Sequence, residues 1–374
     1  MTGDARALTI LHLAANRWWT GSADPVIRLV TGLGARGHRV LLGVVRGDRF
    51  EAKAREAGIE PLNGLDLRPR GWPPPIVRDL RRLRGLLVQD AVDIVHAHHS
   101  HDHWLACLAT VGLRRRVPVV RTFHNVRAVN SGRAARWLYR VTAAAFAVSR
   151  GIEARCREVG FPAARVVWTP GIADTRRFLP DTDGRAIRDE FALGGAPVVV
   201  TVSRFSANRG HEVLLAGFKV LLERMPEARL LLVGKGETLR HLERLVAELG
   251  LARAVVFTGY RDRDLPAVLA AGDCFALMGA GSDESCRAAL EAMAAARPVV
   301  ARRVGALPET VVDGETGVLL EDERAESVAA ALGRLLTDRG GASAMGRAGR
   351  RRAEGEFSAE RAVAIVEAAY RTIV

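Results

Sequence analysis

Four cysteines in 374 residues, Cys107, Cys156, Cys274 and Cys286, are too few and too scattered for a disulfide framework. No C-x-x-C pair is present to build a zinc ribbon, so a reduced, cytoplasmic setting is expected. Aromatic residues make up only 5% and are not interleaved with the basic stretches, which argues against stacking platforms for nucleic acid. No run approaches the roughly 18 apolar residues of a membrane span. The opening "MTGDARALTILHLAAN" is acidic early and its apolar run is short, unlike a secretory signal. Repeats with a period of 20 to 50 residues and low-complexity tracts are also missing.

What is present is length, apolar content and arginine. At 374 residues and 48% hydrophobic content the chain can build two domains, each with its own core. The net charge of +13 comes mostly from arginine, as in "RGWPPPIVRDLRRLRG" (70–85) and "GLRRRVPVVR" (112–121). Such a surplus suits phosphates, nucleic acid or the inner face of an anionic membrane. Ile76, Leu80, Leu83 and Leu87 recur at helical spacing, which puts that face in the core and the arginines outside.

Short apolar runs alternate with segments of helical period. The runs "LTILHLA" (8–14), "RVLLGVV" (39–45), "DIVHAH" (93–98) and "VPVVRTFH" (117–124) are separated by helical stretches at 23–36 and 76–89. A second series comprises "APVVVTVSRF" (196–205), "EARLLLVGKG" (227–236), "AVVFTG" (254–259), "DCFALMG" (273–279) and "RPVVARRVG" (297–305). This alternation predicts an α/β fold of two successive Rossmann-like domains with parallel sheets. The Gly, Pro and charge density of 170–195 reads as a linker, giving domains 1–180 and 181–357. Ligands of such sheets sit beyond the carboxyl ends of the strands, so a cleft between the two domains is the expected site. "GLGARG" (32–37) matches a dinucleotide fingerprint but closes a helix, and Gly37 reads better as its left-handed cap.

The stretch "GAGSDESCRAALEAMAAARPVV" (279–300) runs from a strand end through a small-residue loop into a helix over 285–296. Backbone N–H groups at that helix start suit a phosphate, with Ser285, Cys286 and Arg287 beside it. Glu291 lies two turns in, among Ala and Leu, where it either is solvated or accepts hydrogen bonds from a ribose diol. In "VTVSRFSANRGHEVLLAGF" (200–218), Arg204 and Arg209 follow a strand, a pair that singles out nothing by itself in a chain this basic.

Together these motifs resemble the retaining GT-B glycosyltransferases, in particular family 4. The hallmark there is an acid, seven residues, a Glu and "AMA"; here "DESCRAALEAMA" supplies Asp283 and Glu291. Asp stands where Glu is usual, and Glu284, Ser285 and Cys286 replace Gly-Phe-Gly. The resemblance implies ribose binding by Glu291, sugar positioning by Asp283 and diphosphate binding by Arg204 and Arg209, the latter in place of Lys. It also places Gly21 and Ser22 of the first-strand loop near the donor phosphate. His124 falls at the junction of acceptor and donor sugar, and the backbone at Tyr260 and Arg261 near the base. The fold so implied has domains facing across a cleft and a last helix, 358–374, crossing back to the first domain. Nearly the whole chain, 8–370, is covered.

The implied reaction moves a sugar from a nucleoside diphosphate donor to an acceptor, glycolipid, polysaccharide or small molecule, with retention and without a resident cofactor. A sugar-nucleotide epimerase, a phosphorylase or a silent basic membrane-surface scaffold are the rivals. "DTD" (181–183) and "DRD" (262–264) fit a D-x-D metal pattern, but the first lies in the linker and the second reads as a helix cap. "HAHHSHDHW" (96–104) holds five of the ten histidines. His96 and His98 share a strand face while His99, His101 and His103 enter a turn and helix, so one metal set is not expected. His98 and His99 are instead candidates for an acceptor wall.

Overall fold

The structure is a computed structural model that describes residues 6–16, 23–68, 74–281 and 284–374. It divides into two compact units, 1–170 with 282–284 and 359–374, and 171–281 with 285–358. Among the described residues no helix is long and apolar enough to cross a membrane.

The first unit is a parallel sheet in the order β2-β1-β3-β4-β5-β6. Its strands are β1 (Thr9–Ala14), β2 (Arg39–Val44), β3 (Ile94–Ala97), β4 (Val119–Phe123), β5 (Thr142–Ala147) and β6 (Val166–Trp168). Alternate side chains feed opposite faces. Leu11, Leu13, Val95 and Phe123 pack with Leu83, Leu105, Leu138 and Ile152 of four helices on one face. Ile10, Ile94, Val120 and Phe146 meet Leu29 and Leu33 of the helix Ala23–Ala35, and Val363, Val366 and Tyr370 of the helix Ala359–Ile373, on the other. The last helix seats closely: a Cβ on Gly32 would lie 2.5 Å from Val363 Cγ2. Arg36 and Arg371 both donate to the Glu367 carboxylate, which is held down at a pKa of about 2 against its burial by these partners and His38.

The second unit repeats the plan in the order β12-β11-β10-β7-β8-β9. The strands are β7 (Val198–Val202), β8 (Arg229–Val233), β9 (Val255–Gly259), β10 (Cys274–Leu277), β11 (Val299–Arg302) and β12 (Gly317–Leu320). Val200, Leu231, Phe275 and Val299 pack under Val268, Leu290 and Phe357, while Val199, Leu230, Ala276 and Val300 pack under Leu215, Phe218 and Leu332. In each unit the strand order reverses at one point, between β1 and β3 and between β10 and β7, where such sheets bind ligands.

Two expectations need correction. The boundary falls between Pro170 and Gly171 rather than near 180. The stretch 171–195 is no linker: Ile172, Phe178, Ile187 and Leu193 are buried, and the helix Arg185–Glu190 forms within it. Arg350 clamps it by donating to the carbonyls of Phe178 at 2.6 Å and Thr175 at 2.9 Å. The strands β5, β6 and β12 were not anticipated; "TAAAFA" has little β-branched signal and sits as a central strand because small side chains fit between packed helices. Gly37, at φ +88°, does end its helix in the left-handed region.

Candidate functional site

In the second unit the residues singled out from sequence converge at the carboxyl ends of β7 and β10. Gly210, with φ +72°, caps the helix His211–Leu222 and lies so close to Met278 that a Cβ would meet its Cβ at 2.4 Å. This contact brings the loop after β7 onto the loop after β10. Arg209 Nε donates to Ser206 Oγ at 3.1 Å, and its guanidinium lies over Gly281, where a Cβ would fall 2.0 Å from Nη1. Burial and the neighbouring Arg204 lower the Arg209 pKa, so two cations are held close together beside Glu237. Arg204 is exposed and donates Nε and Nη2 to Glu237 Oε2 at 3.2 and 3.0 Å.

The helix observed is Arg287–Ala294, two residues shorter at each end than expected, because Cys286 takes a left-handed conformation at φ +52° as its cap. Ser285 and Cys286 are buried there. Glu291 is not the solvated helix glutamate that its residue type suggests: it is only 6% exposed, with Oε1 3.2 Å from Arg287 Nε one turn back. A buried carboxylate at this place is an acceptor for hydroxyl donors. Tyr260 is exposed under the Lys235 ammonium, 4.7 Å from its ring. Arg261 is occupied structurally, donating to Glu190 and to Asp264 Oδ2, the latter at 2.6 Å. Asp264 therefore pairs with Arg261 and makes no side-chain cap at the helix Leu265–Ala271, contrary to expectation.

In the first unit a train of imidazoles fills the carboxyl ends of β1, β3 and β4. His96 and His98 stack at 4.4 Å, His12 and His98 lie 5.4 Å apart, and His98 and His99 each lie about 6 Å from His124. Burial lowers the pKa of His12 and His99 to about 3 and of His124 to about 4, and of His96 and His98 well below the usual value. All are neutral at neutral pH. His99 Nε2 meets Asn16 Oδ1 at 2.5 Å, and His103 Nε2 meets Thr142 Oγ1 at 2.8 Å.

His12, His96 and His98 each bring a ring nitrogen within 4.8 Å of the others, a set that the expectation from "HAHHSHDHW" omitted because His12 arrives from β1. Its geometry is that of a hydrogen-bonded stack. His12 Nδ1 and His98 Nε2 meet edge to edge at 3.1 Å, while both nitrogens of His96 engage the hydroxyls of Tyr370 and Thr122. The near-parallel rings of His96 and His98, 15° apart, cannot both aim a lone pair at one ion about 2 Å away.

Three further residues escaped the sequence. Asp102, fully buried, accepts from the N–H groups of Ala15, His98 and His99 at 3.1, 3.3 and 2.7 Å, tying the ends of β1 and β3 together. Burial raises its pKa to about 7 against those donors and Arg121. Glu284 clusters with the first unit: its N–H donates to the His124 carbonyl at 2.9 Å, and its carboxylate accepts from Val126 N at 2.8 Å and Ser149 Oγ at 3.1 Å. Glu237 is the third. The only advance signal was Asp102 at the third position of a helix start. Gly21, Ser22 and Asp283 lie outside the described residues.

Comparisons with known proteins agree across both units. The family description "Glycosyltransferase Family 4" matches residues 20–177, and "Glycosyl transferases group 1" matches 196–338. A GDP-mannose-dependent alpha-(1-6)-phosphatidylinositol monomannoside mannosyltransferase of Mycolicibacterium smegmatis is 41% identical over 211 residues, 54% of this chain and 55% of that protein. A D-inositol 3-phosphate glycosyltransferase of Nocardia farcinica is 31% identical over 319 residues, 75% of this chain and 66% of its own length. The chain spans about half the length of the curated relatives it matches. In structure it is similar to Anabaena HepE in complex with UDP and glucose, with TM-score 0.84, 20% identity and 98% and 100% of the two chains covered. A Rickettsia africae glycosyltransferase gives TM-score 0.85 at 20% identity, covering 99% of each. At that identity the likeness establishes the fold, the pair of Rossmann-like units of the GT-B class.

Proposed function

The chain belongs to glycosyltransferase family 4, and from that premise we propose that it transfers a sugar from a nucleoside diphosphate donor to an acceptor with retention of configuration. The observation that carries this reading is the assembly, at the strand-order reversal of the second sheet, of Arg209 beside Arg204 with the buried Glu291 on the adjacent helix. The donor diphosphate lies against Arg204, Arg209 and the loop through Ser285, Cys286 and Arg287, and the ribose hydroxyls donate to Glu291. As the sugar–phosphate bond lengthens, negative charge grows on the leaving diphosphate, and the two guanidiniums stabilise it; one such donor is worth roughly 3 kcal/mol. Arginine at 209 offers a fork of donors, which suits two phosphoryl oxygens. No side chain among the described residues is placed as a nucleophile, which favours attack from the leaving-group face with the departing phosphate accepting the acceptor's proton. His124 sits at the sugar junction, and His99, its ring 6.0 Å from that of His124, lines the acceptor side.

GDP-mannose is the first donor to test, because a relative at 41% identity carries that name, and a lipid-linked polyol is the matching acceptor class. The protein then works at the cytoplasmic face of an anionic membrane, with no resident metal or cofactor. A thermal-shift series with GDP, UDP, ADP and their sugars tests the donor site. Stabilisation by one nucleoside diphosphate, lost in Glu291→Ala and Arg204→Ala, supports the proposal, and failure of every nucleotide to stabilise the chain refutes it.

A further inference from the structure

The loop after β8, "GKGE" at 234–237, is fastened to its neighbours through the backbone. Gly234 N–H donates to the Gly259 carbonyl at 3.0 Å, Phe205 N–H to the Lys235 carbonyl at 3.1 Å, and Thr238 N–H to the Phe205 carbonyl at 3.1 Å. Gly236 lies so close to Phe205 that a Cβ on it would fall 2.0 Å from that carbonyl oxygen. The backbone at Glu237 is therefore fixed beside the loop after β7, which carries Arg204.

Glu237 Oε2 accepts from Arg204 Nε at 3.2 Å and from Nη2 at 3.0 Å. Its own backbone N–H, Arg204 and, at longer range, Arg209 hold the carboxyl below its usual pKa, so it is ionised at neutral pH. Two guanidinium N–H groups, a backbone N–H and a second cation are also the set of groups that receives a phosphoryl oxygen. Arg204 thus already holds an anion, whereas Arg209 donates to Ser206 and has no ion pair among the described residues.

The Arg204–Glu237 pair differs from those that brace this unit. Arg261, held by Glu190 and Asp264, and Arg188, held by Asp273, are mostly covered. The side chains of Arg204 and Glu237 are 64% and 59% exposed. An ion pair so exposed adds little to stability and opens at little cost, so fastening the fold does not account for it.

We propose that Glu237 is an intramolecular competitor for the donor site, its carboxylate standing where a phosphoryl oxygen binds and giving way when the donor arrives, an inference that rests on the reading above that Arg204 holds the donor diphosphate. After transfer, return of the carboxylate to Arg204 helps the nucleoside diphosphate to leave, which keeps product release from limiting turnover.

Calorimetric titration of the full chain with GDP, UDP and ADP, in the wild type and in Glu237→Gln, tests it. The variant keeps the size of the side chain and removes its charge. The nucleoside diphosphate that binds should bind Glu237→Gln about three- to tenfold more tightly: freeing Arg204 from an exposed pair accounts for up to about fivefold, and loss of the repulsion between carboxylate and diphosphate for the rest. Its dissociation, followed by stopped flow, should slow by a similar factor. Glu237→Gln should not restore binding to Arg204→Ala, because the carboxylate then has nothing to compete for. If Glu237→Gln fails to fold, Glu237→Ser takes its place. Unchanged or weaker affinity in the charge-free variant overturns the proposal, and so does recovery of binding when Glu237→Gln is added to Arg204→Ala. Equal binding by wild type and variant refutes the competition alone, whereas failure of every nucleoside diphosphate to bind either form refutes the donor site and this inference with it.

Discussion

Acidification from pH 7.5 to 5.5 should cost this chain a large share of its stability, with Asp102 the carboxylate that titrates in the same range. The perturbation acts on His12, His99 and His124, whose pKa values burial lowers to about 3, 3 and 4, and on His96 and His98, whose pKa values burial lowers well below the usual imidazole value, so all five are neutral in the folded chain. Unfolded, each titrates near 6.5. Between those values the unfolded chain binds more protons than the folded one, so stability is complete above about pH 6.5 and falls as pH falls toward the folded pKa. Each such imidazole loses about 1.4 kcal/mol between pH 7.5 and 5.5. Asp102 acts in the opposite sense: its folded pKa of about 7 lies above the usual carboxylate value, so it gains stability as pH falls through 7 and offsets about one histidine. The three rings with folded values of about 3 to 4 therefore leave a net loss of about 2 kcal/mol, and His96, His98 and His103, lowered in the same direction, add to it, a large share of the stability of many domains. Urea unfolding at pH 7.5, 6.5 and 5.5, followed by near-UV circular dichroism, measures it. The first unit should unfold at a sharply lower urea concentration at pH 5.5. A transition that moves by less than about 1 kcal/mol would refute the assignment of these rings as buried and neutral.

Gly281→Ala should depress turnover about 10- to 100-fold with little change in melting temperature, since a Cβ there would fall 2.0 Å from Arg209 Nη1 at a backbone φ of +87° and displace the guanidinium; a kcat measurement with the identified donor checks it. Gly234→Ala meets backbone instead, 2.0 Å from the Ser203 carbonyl, so it should lower stability by about 2 kcal/mol or more in calorimetry. Dialysis against EDTA should leave turnover unchanged if, as proposed, arginines rather than a metal offset the diphosphate; loss of activity restored by a divalent cation would contradict this. Asp102→Asn should raise KM for the acceptor more than for the donor, since its carboxylate fixes the His98 and His99 backbone; equal effects on both would deny it that positioning role.

The central parallel strands were legible because their apolar runs are bounded by helical periods, and the two-unit architecture followed. The strand β5 escaped because "TAAAFA" buries by smallness, not by hydrophobic mass, and such a run has no period of its own. Arg204, Arg209 and Glu291 could be picked out because they fall at the family's motif positions along single strand–loop–helix segments. His12 could not: within "TILHLA" it is one polar residue in a core strand, and its partnership with His98 exists only because the crossover places β3 directly beside β1. Glu284 and Asp102 were hidden for the same reason, since each acts on backbone N–H groups brought near by topology and not by sequence distance. The supposed linker at 171–195 misled because Pro and Gly density reports only local conformation, while burial of Phe178 and Leu193 depends on a helix more than 150 residues later.

The last helix, Ala359–Ile373, gives the first unit a schedule. Tyr370 and Val366 complete a face of its core, and the Tyr370 hydroxyl takes up His96. During synthesis the strands β1 to β6 emerge first, yet that face stays open until the second unit has been made, roughly 10 to 40 s later at ordinary elongation rates. The second unit meets no such delay and is free to fold while the ribosome finishes. A fragment ending at Pro170 should accordingly be insoluble or chaperone-bound, whereas the same fragment supplied with residues 359–374 as a separate peptide should recover a cooperative transition. On that expectation the second unit, written later, is the first to fold.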